Sequence, residues 1–209
     1  MDKIFVLGDS ISIQYGPYLQ HLLAGRCDYA RKEALLEAPP DLPYPADANG
    51  GDSSMALAYL RAKVEATDFS PDYLLLNCGL HDIKTDPQTG QKQVSPPDYE
   101  QNLKQIVALA AEKGLNLIWV RTTPVDDQIH NSRLAAFQRF NQDAIAYNHL
   151  ADRVFSQART LLLDLYHFTL NLGADIYCDH VHFTETVRAR QAAFIAGFVM
   201  ALTQTRIIR

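Results

Sequence analysis

The sequence predicts an α/β fold in which a parallel sheet is covered by helices on both faces, and three observations support it. Short apolar runs alternate with longer stretches of helical period. Two of those runs, Tyr73-Leu74-Leu75-Leu76 and Leu117-Ile118-Trp119-Val120, are apolar throughout, as strands buried on both sides must be. The 209 residues are 47% apolar and 21% charged, which suits one α/β domain with a substantial core. The expectation is a three-layer α/β/α sandwich on a five-stranded parallel sheet, in a single domain spanning residues 1–209.

Taken in order, the first strand is Ile4–Leu7, and it stops at Gly8-Asp9-Ser10. The second is Cys27–Arg31. Residues 38–51 read as a loop, with Pro39, Pro40, Pro43 and Pro45 followed by Asn49-Gly50-Gly51. The third strand is Tyr73–Cys78. A second loop, Lys84–Asp98, holds Pro87, Gly90, Pro96 and Pro97. A helix carrying Leu103, Ile106, Val107 and Ala110 on one face leads to the fourth strand, Leu117–Arg121. Leu161–Asp164 is the fifth strand. The last helix carries Val187, Phe194, Ile195, Phe198, Val199 and Leu202, with Thr184 as its N-cap. There is no repeat, low-complexity tract or interdomain linker.

Composition narrows the function classes. A net charge of −5 argues against nucleic acid or an anionic membrane surface as partner. No apolar run is long enough to span a bilayer, and the first apolar strand is too short for a signal-peptide core. A cytoplasmic location is therefore expected. Cys27, Cys78 and Cys178 are odd in number and widely spaced, so no disulfide framework is expected.

In such a sheet, ligands bind beyond the carboxyl ends of the strands. That rim gathers Gly8–Ser12, Asn49–Ser53, Asn77–Asp82 and Thr122–Val125, and the Asp179–His182 loop can reach it. Asp179 stands three residues before His182, so its carboxylate can meet the ring's Nδ1–H. A serine at a strand end, a histidine and an orienting acid supply the nucleophile, base and acid of a serine hydrolase. The bland reading of Ser10 is a helix cap.

Four blocks, in this order, resemble the SGNH hydrolases, also called GDSL esterases and lipases. Gly8-Asp9-Ser10-Ile11-Ser12 resembles the first block, Gly50-Gly51-Asp52-Ser53 the second, and Asp179-His180-Val181-His182 the last. Gly79-Leu80-His81-Asp82 stands where the third block reads Gly-x-Asn-Asp. Thr123-Pro124, Tyr147-Asn148 and Asp164-Leu165-Tyr166 also look like parts of the pattern.

The resemblance spans nearly the whole chain and implies a flavodoxin-like sandwich. It also implies an acyl-enzyme mechanism in which Ser10 attacks an ester, His182 is the base and Asp179 orients it. The backbone N–H groups of Ser10 and Gly51 would form the oxyanion hole, with His81 in place of the family's asparagine as third donor. His81 could instead be a bystander satisfied by loop backbone. If it donated as an imidazolium, the pH–rate profile would be a narrow bell. If it donated as the neutral ring, activity would persist into alkali.

Asp9 and Asp82 are expected to support the rim loops by accepting backbone N–H groups. His180 is expected to point away from the base, exposed or lining substrate. Cys178, Asp179, His180 and His182 could in principle hold zinc, but no second ligand cluster accompanies them, and neither metal nor other cofactor is expected.

The predicted partner is a small-molecule ester. The polar Lys84–Asp98 loop and the absence of a long apolar lid favour a short acyl group, such as acetyl, on a polar or carbohydrate alcohol. The alternatives are a lysophospholipase or thioesterase taking longer chains, and a weak or inactive ligand-binding relative, for which His81 is the only support. A nucleotide binder is discounted, because Gly8-Asp9-Ser10 puts a carboxylate where a phosphate would sit.

Overall fold

The computed structural model of the chain describes residues 1–34, 46–66 and 68–206. Residues 38–45 of the first expected loop lie outside them. Five strands form one sheet: β1 (Asp2–Leu7), β2 (Cys27–Arg31), β3 (Tyr73–Leu76), β4 (Asn116–Val120) and β5 (Leu161–Leu163). Their order is β2-β1-β3-β4-β5, and every pairing is parallel. This is the flavodoxin-like order, in which the chain reverses its direction of travel between β1 and β3.

The helices are α1 (Ser10–Leu23), α2 (Ser53–Lys63), α3 (Pro96–Glu112), α4 (Asp127–Arg133), α5 (Asn141–Gln157), α6 (Leu165–Leu170) and α7 (Glu185–Arg206). Among them α1 packs along α7, and α6 joins α7; α2, α3 and α5 pack as a second set. β1, β3 and most of β4 are buried between these layers, including Leu7, Leu74, Leu76, Ile118 and Trp119. Trp119 stacks on Phe155 of α5, and Phe5 meets Phe69 edge-on.

The strands match the sequence expectation except at their ends. β3 leaves the ladder after Leu76 rather than Cys78, although the Asn77 N–H still donates to the Leu7 carbonyl at 2.9 Å. β5 stops at Leu163, because the Asp164 carboxylate turns to cap α6 through the His167 N–H. The second expected loop also ends earlier, since α3 starts at Pro96. Ser95 caps that helix, and its first-turn prolines sacrifice N–H groups that would have had no helical partner. The loop itself is ordered by bridges from Thr85 to both Lys92 and Gln138.

Close backbone approach fixes the rim. The Gly50 N–H donates to the Gly8 carbonyl at 2.9 Å, and a Cβ on Gly50 would stand 2.9 Å from that same oxygen. Gly50→Ala is therefore expected to cost about 1–3 kcal/mol by forcing the two loops apart. Gly197 is exposed within α7 with nothing within 4 Å of an added Cβ, so Gly197→Ala should instead stabilise by about 0.5–1 kcal/mol. Urea unfolding of both variants checks the opposite signs.

Candidate active site

Ser10 is the first residue of α1, directly beyond the carboxyl end of β1 and at the point where the strand order reverses. It is not the cap. Asp9 takes that position, its Oδ1 accepting the Ile11 N–H at 3.0 Å, which leaves the Ser10 hydroxyl free to face outward. The His182 ring stands above it, with Nε2 2.8 Å from Ser10 Oγ. His182 Nδ1 is 2.7 Å from Asp179 Oδ2. Because a carboxylate only accepts, the assigned tautomer has Nδ1–H donating to Asp179 and Nε2 accepting from the Ser10 hydroxyl.

Asp179 and His182 sit at the tip of a short hairpin. Tyr177 bridges Phe183, the Cys178 N–H donates to the His182 carbonyl, and the Thr184 N–H donates to the Ile176 carbonyl. Within the tip, Asp179 Oδ1 accepts the N–H groups of Val181 at 2.8 Å and His182 at 2.7 Å. Partial burial pushes this carboxyl up, but those two N–H groups and the His182 ring outweigh it and hold it at about 2. The acid is thus ionised wherever the histidine could act as a base. The Tyr177 hydroxyl donates to the Pro124 carbonyl at 3.0 Å, tying the hairpin to the rim after β4.

The hairpin corrects the expectation for His180. Residues two apart lie on the same side even of an extended segment, so His180 does not point away from the base. Its ring lies 5.9 Å from that of His182 and 5.1 Å from that of His130. His130, fully buried on α4, has Nδ1 3.2 Å from the His180 carbonyl and braces the tip from below. Burial lowers the His130 ring to about 4, so it donates as a neutral imidazole.

The expected oxyanion donors are brought to the same rim, with one qualification for Gly51. Its φ is +72°, and an added Cβ would meet Met55 Sδ at 2.5 Å, so only glycine suits the position. Its N–H, however, already donates to Asn49 Oδ1 at 2.8 Å. His81 lies half-buried in the loop after β3, and its ring makes no hydrogen bond among the described residues. Burial, followed by the nearby cations Lys84 and Arg139, lowers it to about 3. At neutral pH it is an uncharged ring with an N–H to give.

Asp9 caps α1, and Asp82 holds a loop. Asp82 Oδ1 accepts the Ser53 N–H at 2.8 Å, joining the loop of His81 to the start of α2. Burial raises Asp82 to about 7 and also raises Asp9. Asn148 clasps Thr122 through both its N–H and its carbonyl at 2.9 Å, and the Tyr147 hydroxyl donates to the Val94 carbonyl. Among the described residues no group of three or more His, Cys, Asp or Glu is placed to hold a metal ion, and no helix is long and apolar enough to cross a membrane.

One residue here has no sequence signature: Arg139, 4% exposed. Its Nε donates to the Leu80 carbonyl at 2.6 Å. Its own backbone N–H and carbonyl are both held by the Asn131 side chain at 3.0 Å.

A serine, a histidine and an aspartate linked by short hydrogen bonds at the switch point of a 2-1-3-4-5 sheet describe the class of α/β serine hydrolases. The family can be named more closely. The model of the GDSL-like lipase/acylhydrolase family matches residues 6–189, so the chain belongs to that family and is an ester-bond hydrolase.

Solved structures agree on the fold. An acetyl xylan esterase, AlAXEase, is 14% identical with a TM-score of 0.67, covering 94% of this chain and 99% of its own. A lipase/acylhydrolase from Enterococcus faecalis is 16% identical, TM-score 0.69, covering 96% of each chain. Est24, a carbohydrate acetylesterase from Sinorhizobium meliloti, is 13% identical, TM-score 0.63, covering 97% of this chain and 100% of its own. No curated protein matches the sequence.

The lowered His81 value has a consequence for stability. An unfolded histidine titrates near 6.5, so between about 3 and 6.5 the unfolded state binds the extra proton. This contribution is complete above that window and is lost as pH falls through it. Asp82 works in the opposite sense, so the effect is best isolated by difference. The stability of the wild type relative to His81→Asn should rise with pH from about 3 to 6.5 and then level off, measured as thermal unfolding across pH. A flat difference would place the ring in water.

Proposed function

We propose that this hydrolase works through an acyl-enzyme on Ser10. The observation that carries the reading is the 2.8 Å contact between Ser10 Oγ and His182 Nε2, backed by Asp179 at 2.7 Å. His182 takes the hydroxyl proton as Oγ attacks the carbonyl carbon, and gives it to the departing alcohol. The same ring then activates the water that releases the acid. Asp179, held ionised, keeps the tautomer and stabilises the imidazolium.

The developing oxyanion takes the N–H groups of Ser10 and Gly51 together with the neutral ring of His81. The Gly51 N–H is shared with Asn49 Oδ1 in the resting enzyme, so the oxyanion competes with a neutral amide oxygen for it. A charged acceptor makes the stronger bond. Each donor of this kind is worth about 10²–10³ in turnover. His81→Ala is expected to lose about that factor and His81→Asn to keep most of the activity, read as kcat on one aryl ester. Equal activity in all three enzymes would make the ring a bystander.

Neutral His81 also shapes the pH dependence. Because the His81 ring is already uncharged, it has no proton to lose on the alkaline side, so the rate should hold a plateau into alkali. A narrow bell would mean that an imidazolium at His81 is needed.

For substrate, we infer a short acyl group, such as acetyl, on a polar or carbohydrate alcohol. The polar loop of residues 84–95 beside the rim supports this. The acetyl xylan esterase and carbohydrate acetylesterase that share the fold act on acetylated carbohydrates by their names. A series from p-nitrophenyl acetate to palmitate on wild type and Ser10→Ala tests it. The expected result is a maximum at the shortest chains and loss of turnover without Ser10; a preference for long chains would reject the short-acyl reading.

A further inference from the structure

Beside the proposed oxyanion shell stand two cations that this reading of the reaction leaves unused. Arg139 and Lys84 come from segments joined by a short antiparallel pairing, in which Thr85 and Gln138 exchange N–H to carbonyl bonds at 2.8 Å. That pairing sets both heads against one ring. Lys84 Nζ is 4.8 Å and Arg139 Cζ 4.9 Å from the centroid of Phe137. Among the described residues neither makes an ion pair.

This arrangement is expensive for the empty enzyme. Arg139 is 4% exposed and Lys84 half-buried, and like charges near one another repel. Burial lowers Arg139 to about 10 and, with Arg139, lowers Lys84 as well. The opposite charges in range are poorly placed to compensate. Asp9, the one acid acting on Arg139, is raised by burial and makes no ion pair with the guanidinium among the described residues. Asp82, near Lys84, is raised to about 7, and Asp52 is committed to Ser54, Met55 and Gln93. A buried cation without a partner is costly enough to suggest that a ligand supplies the countercharge.

Both cations also stand by the His81 loop. Arg139 Nε donates to the Leu80 carbonyl, next to His81 in the chain, and the Lys84 N–H donates to the His81 carbonyl at 3.3 Å, so the positive charge lies on the His81 side of the rim. With Nε fixed on the Leu80 carbonyl, the Arg139 fork has its two terminal nitrogens left for a planar acceptor, and Lys84 adds a point charge.

We propose that Arg139 and Lys84 form an anion subsite that selects esters bearing a carboxylate near the scissile bond. Because the acyl group is taken to be short, that carboxylate belongs to the alcohol part. The inference rests on the hydrolase reading and narrows its substrate class to acetylated hydroxy acids, acidic sugars included.

The test is a matched pair, 4-acetoxyphenylacetate and its methyl ester, which share nearly the same leaving group and differ by one charge. Wild type should show kcat/KM at least tenfold higher for the carboxylate. That preference should fall towards unity in Lys84→Gln and in Arg139→Met, and should shrink as salt is added. Comparing the two substrates within each variant cancels any general loss of activity, and Lys84→Gln keeps the result readable if Arg139→Met folds poorly. A wild-type ratio within twofold of one, with the methyl ester turned over, would overturn the subsite and leave the hydrolase reading intact. Failure to turn over either ester or p-nitrophenyl acetate would remove the hydrolase reading and the subsite with it.

Discussion

The hydrogen bond between Ser10 and His182 joins residues 172 positions apart in the chain, and most of the architecture can be understood as what makes it possible. One partner is fixed by β1, which lies between β2 and β3 and ends at the switch point. The other is delivered by α7, which packs along α1 and so returns the C-terminal hairpin to the place where α1 begins. The hairpin then spends its backbone N–H groups on Asp179. A carboxylate satisfied in this way is both ionised and immobile, which keeps the imidazole in one tautomer and one orientation.

Around that bond the rim is built from backbone and buried polar contacts rather than from flexible side chains. Gly50 lies against Gly8, Asn77 on Leu7, and Asp82 on the N–H of Ser53. These contacts bring three loops from different strand ends together with little freedom. His81 suits this setting. In a half-buried, cation-lined loop the ring stays neutral, so it remains a hydrogen-bond donor without adding a charge that would vary with pH.

Much of this was legible in the chain. Runs such as Leu74–Leu76 and Ile118–Val120 are apolar because helices cover both faces, and that signal is local. The Asp179–His182 spacing is legible because one turn of chain closes the contact. Other features depend on tertiary structure. The short α4 and α6 hold too few turns to show a period, so His130 had no visible context. Arg139 reads as an ordinary surface charge until the pairing of Gln138 with Thr85 buries it. His180 lies beside His182 rather than away from it, as residues two apart on one face of a short extended segment do. The hold of Asn49 on the Gly51 N–H depends on a turn that sequence spacing alone does not specify.

The most direct measurement of the central claim is the rate of covalent modification of Ser10 by a fluorophosphonate, followed by peptide mass spectrometry. Attack requires the hydroxyl proton to pass to His182. A single adduct is expected on the peptide containing Ser10, with labelling slowed by orders of magnitude in His182→Asn. An adduct elsewhere, or labelling of Ser10 at an unchanged rate without the imidazole, would contradict it.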